Sequence, residues 1–155
     1  MAIQTGRTTF KFLTFSIDDA VPTLRQIPIN SLTVVGVKYD ELDLTAWQDA
    51  VKGALPTMAD APIEFGGPWD TTALTGSHTV LSAINGLLTP LSLNIAFGMR
   101  QAYVAGEPTF GITSNATNGY LCVSYIVDPS SMTYTAALRL FPGSTLPAWG
   151  VAAYT

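Results

Sequence analysis

The chain has 155 residues, 48% hydrophobic and only 12% charged, with a net charge of −4. One domain spanning residues 1–155 is the natural expectation for this length, with apolar side chains enough for a sizeable core. The even spread of Phe, Tyr, Val, Ile and Leu excludes disorder, and the surplus of acids leaves no basic face for gripping phosphates.

Charge is distributed unevenly. Between Thr71 and Thr155 only Arg100, Glu107, Asp128 and Arg139 are charged, so Ser, Thr, Asn and Gly must coat that half. A surface so poor in charge suits a chain covered by copies of itself. No apolar run approaches the ~20 residues of a membrane span; the longest candidate, Leu87 to Phe97, is broken by Pro90. Met1 to Thr9 carries no apolar signal core. The lone Cys122 has no disulfide partner, which fits synthesis in a reducing cytoplasm.

In chain order, Phe10 and Phe12 share one strand face while Leu13, Phe15 and Ile17 take the other, which implies a bulge or a strand covered on both faces. Ser31 to Val37 and Pro62 to Gly66 read as short strands, with a long polar loop at about 40–60 between them. Within it Thr45 opens a possible second helix, with Gln48 in capping-box position and Trp47, Ala50, Val51 and Ala54 as its stripe, ending at Gly53. The firm helix, at about 77–86, has Val80, Leu81, Ile84, Leu87 and Leu88 at helical spacing, a Ser77 or Thr75 cap and Gly86 as its stop. Leu91, Leu93, Ile95 and Phe97 alternate cleanly as a strand. Thr109 to Ser114 follows as another. Leu121, Val123, Tyr125 and Val127 alternate again, as do Tyr134, Ala136, Leu138 and Leu140. Asp128-Pro129-Ser130-Ser131 turns these two runs into an antiparallel hairpin. A last strand lies near Trp149 to Ala153. The expected class is mainly β, an antiparallel sandwich or barrel-like domain with one flanking helix.

Catalytic chemistry finds little to use. His78 is the only histidine; a relay with Ser77 and Asp70 would need residues lying too close along the chain. Cys122 sits among apolar strand neighbours without a histidine to activate it. One His and one Cys do not make a zinc site. The run Asp40, Glu41, Asp43 lacks the loop glycine and terminal glutamate of a calcium loop and reads as a solvated loop. Gly66-Gly67-Pro68 is a strand-ending turn, not a phosphate cradle. No enzyme, metal or cofactor is expected. Trp69 is expected in the core. Trp47, in the polar stretch, is either an interface anchor or locally packed.

Four stretches, in this order, carry a resemblance. Ile17-Asp18-Asp19 is followed by Thr23-Leu24-Arg25-Gln26-Ile27 and a strand at Leu32 to Val37. A long acidic loop then ends in Ala59-Asp60-Ala61-Pro62-Ile63-Glu64-Phe65-Gly66-Gly67-Pro68-Trp69-Asp70. Thr75-Gly76-Ser77-His78-Thr79-Val80-Leu81 opens the helix, and a β-rich tail closes on Pro147-Ala148-Trp149-Gly150. Over residues 10 to 150 this order resembles the tail tube (major tail) proteins of long-tailed bacteriophages. The resemblance implies a β-sandwich with a flanking helix, six copies to a ring, inner strands forming a continuous barrel, and rings stacked through long loops into a virion tail tube. Its partners would be itself and other tail proteins, and DNA would pass through the lumen without tight binding. The loop Asp40 to Asp60 matches the stacking loop in position, which makes Asp40, Glu41, Asp43, Trp47, Lys52 and Asp60 candidate contacts; the helical character of Thr45 to Lys52 departs from the family's extended loop. A hexamer would carry six times −4, or −24, and an acidic channel would repel DNA. Two rivals share the composition: a capsid-decorating phage protein, and a small-ligand or carbohydrate-binding β module using Trp47, Tyr103 and Tyr120.

Overall fold

The computed structural model describes residues 8–99 and 101–154. Arg100, one of the sparse C-terminal charges, lies outside them. Two antiparallel sheets face each other. The first contains β1 (Leu13–Asp18), β2 (Leu24–Gln26), β7 (Leu93–Phe97), β8 (Thr109–Ile112) and β11 (Ala148–Gly150), in the order β11-β8-β7-β1-β2. The second contains β3 (Ser31–Leu32), β6 (Ile63–Pro68), β9 (Tyr120–Asp128) and β10 (Thr133–Leu140), in the order β3-β6-β10-β9. A separate two-stranded hairpin pairs β4 (Lys38–Asp43) with β5 (Ala54–Asp60).

Period-two alternation builds the core. Phe15, Ile17, Leu93, Ile95, Phe110 and Ile112 point inward from the first sheet; Ile63, Phe65, Tyr134, Ala136 and Leu138 meet them from the second. Phe15 and Phe65 touch across the layers with ring centroids 4.4 Å apart. Helix α1 (Ser77–Ile84) buries Val80, Leu81 and Ile84 against this core and runs beside β9. Gly86, at φ 82, ends it in the left-handed conformation that glycine adopts without strain.

The two sheets differ on their outer faces. In the five-stranded sheet the outward Ser16, Asp18, Asn94, Ala96 and Thr109 are also buried. The C-terminal segment lies across it, with the Tyr154 N–H on Asn94 Oδ1 and the Thr109 hydroxyl on the Ala152 carbonyl. In the four-stranded sheet Glu64, Thr135 and Ile126 stand exposed.

Several expectations are corrected. Phe10–Phe12 forms a 3-10 turn, so the phase change at the N-terminus marks the start of β1 rather than a bulge. The both-faces-covered alternative holds for β1 itself, where Phe15 to Asp18 are all buried. In β9 a bulge opposite Ala137/Leu138 leaves Val123 unpaired, so Tyr120 and Cys122 face inward and Leu121 and Val123 do not share a face with Tyr125 and Val127 throughout. Only Ser31–Leu32 of the Ser31 to Val37 run is paired, and the last strand covers Ala148–Gly150 rather than Trp149 to Ala153. Neither Ser77 nor Thr75 caps α1: no side chain does, and the Ser77 hydroxyl donates to the Pro68 carbonyl at 2.8 Å instead.

The second helix does not form. Thr45 to Lys52 is the tip of the β4–β5 hairpin, and the long loop at 40–60 is mostly strand. The Asp43 carboxylate accepts the Thr45 N–H at 2.9 Å, and Asp49 accepts the Ala46 N–H at 2.7 Å. These local bonds compete with a helical ladder. A helix of two turns with nothing to bury its stripe also falls short of the length an isolated helix needs. The segment is therefore a turn joining two strands and not a helix.

Candidate functional site: an exposed amphipathic hairpin

The β4–β5 hairpin leaves the sandwich where β3 ends and β6 begins. Every residue of β4 is exposed, and all of β5 but Ala59. Register places Leu42 opposite Leu55, and Glu41 and Asp43 on the other face against Pro56 and Ala54. Leu42, Leu44, Val51, Leu55 and Met58 are all more than half or about half exposed, and Trp47 at the tip is fully so. One face of the hairpin thus carries the Leu42–Leu55 pair, and the other carries Glu41 and Asp43. A lone two-stranded hairpin is marginal in water, and this one spends six large apolar side chains on solvent.

All six sequence-derived candidates lie on this element. Asp40, Glu41 and Asp43 are in β4, Trp47 and Lys52 in the tip, and Asp60 ends β5. Trp47 packs on nothing among the described residues, which removes the local-packing alternative. The hairpin also concentrates the chain's charge. Lys38 and Lys52 stand against Asp40, Glu41, Asp43, Asp49 and Asp60, a surplus of three negative charges out of the chain's four. The rest of the chain is nearly neutral, with a net charge of −1. Thr45 holds the Asp43 carboxyl below its ordinary range, first through its hydroxyl and then its N–H. That carboxylate is committed to the turn, and among the described residues no three acidic, His or Cys side chains gather to hold a metal.

Sequence reasoning named the acids and the tryptophan but missed Leu42, Leu55 and Met58. The alternation Glu41-Leu42-Asp43-Leu44 was the available signal.

The other candidates separate. Asp70, Ser77 and His78 do not form a relay: Ser77 is fully buried and bonded to backbone, while His78 Nδ1 lies 2.9 Å from the Tyr125 hydroxyl. The His78 ring packs tilted against Trp69, ring centroids 5.2 Å apart, and Trp69 is half-buried beside the helix start rather than in the core. Burial pushes the Cys122 thiol up to about 11, which makes it a poor nucleophile. Trp47, Tyr103 and Tyr120 do not converge: Tyr120 is buried, and Tyr103 bonds the Val151 carbonyl at the end of the sandwich away from the hairpin.

No family model matches the chain, and no curated protein does. Solved structures do. The chain is similar to a component of the anti-feeding prophage baseplate (6-fold symmetrised), with TM-score 0.62 and 11% identity, covering 96% of this chain and 97% of that one. It is also similar to a component of the anti-feeding prophage tube terminating cap, with TM-score 0.62, 11% identity and coverage of 98% and 95%. A third match is to a component of an extracellular contractile injection system, the PVC sheath-tube complex in its extended state, at TM-score 0.59, 12% identity and coverage of 94% and 93%. Identity this low shows a shared fold. The chain has, over nearly its whole length, the fold of components of phage-tail-like contractile injection systems.

Proposed function

We propose that this chain is a tube subunit of a bacteriophage tail or phage-tail-like particle, built into hexameric rings that stack through the β4–β5 hairpin. The carrying observation is that hairpin: an extended, exposed, amphipathic element with Trp47 at its tip, projecting from a sandwich of the injection-system fold. A monomer gains nothing from exposing it; a stacked subunit buries it. The sparse charge of the sandwich supports the same reading, since neighbours on several sides would cover it. Other tail proteins would cap the stack, and DNA would be the cargo in a phage. The subunit is a structural part, made in the host cytoplasm and finished in the particle's tail.

Sedimentation across a range of concentrations tests this reading. Rings or longer assemblies should appear as concentration rises or when a baseplate-like nucleus is added. A monomer at every concentration, seeded or not, contradicts it. A capsid-decorating protein would bind a shell lattice without polymerising alone.

A further inference from the structure

We draw no further inference here: the strongest candidate, the surface patch at the end of the sandwich away from the hairpin, where the exposed Leu74 and Met132 both hold left-handed backbone conformations, carries nothing because nothing in the structure shows what covers it.

Discussion

Tyr120 anchors Ala61. Its hydroxyl donates a 2.9 Å hydrogen bond to the Ala61 carbonyl, both residues fully buried. Ala61 directly follows the hairpin, so this bond ties the base of the projecting element to the core. Tyr120→Phe leaves a buried carbonyl unpaired and should cost ~1–3 kcal/mol. Urea denaturation checks the figure, and a change within error would show that the base is held by other means.

Trp47→Ala should leave the fold intact, because the indole touches nothing among the described residues. Hot-spot aromatics cost ~2 kcal/mol or more on truncation, so ring stacking should weaken while the melting temperature of the monomer stays put. Leu42→Asp, on the same hairpin, should act in the same direction. Normal tube lengths from both variants would remove the hairpin from the interface.

Alkaline pH should destabilise the monomer. Burial raises Cys122 from its ordinary 9.0 to about 11 and raises Tyr120 and Tyr134 above 10.0. The unfolded chain therefore loses these protons first, and stability present below pH 9 falls as pH rises through the folded values. Chemical denaturation at pH 7, 9 and 10.5 should give a declining midpoint. Cys122 should react with a thiol reagent only as the chain unfolds. A flat profile with rapid labelling would contradict this burial.

Much of the fold is written in alternation. The runs through Phe15, Ile95 and Tyr134 bury their inward faces as their period requires, and the Val80-Leu81-Ile84 spacing makes the one α-helix among the described residues. What the sequence hid depends on partners. Thr45 and Gln48 look like a helix start, but Asp43 and Asp49 satisfy the local backbone and no core lies nearby to bury a stripe. Val34 and Val35 look like a strand and have no paired strand among the described residues. The Val123 bulge shows only in the register of β9 against β10. Of the candidate site, Trp47 and the acids were legible as an unusual polar stretch; Leu42 and Leu55 became visible only once the hairpin placed them face to face.

Assembled protein should bind duplex DNA weakly. Duplex affinity depends on Lys and Arg neutralising phosphates, and the chain has seven against eleven acids. Among the described residues Arg25 and Arg139 are already paired with Asp19 and Glu64. Filter binding at low salt, where screening is least, should find no submicromolar affinity. Submicromolar binding that fades with added salt would reveal a basic track and turn the reading toward a nucleic-acid binder.

Electron microscopy of the purified chain tests the central claim most directly. The account predicts rings with an open centre that stack into tubes, lengthened by a nucleating complex and shortened by Trp47→Ala. Isolated particles of about 16.5 kDa under every condition, nucleated or not, would contradict it.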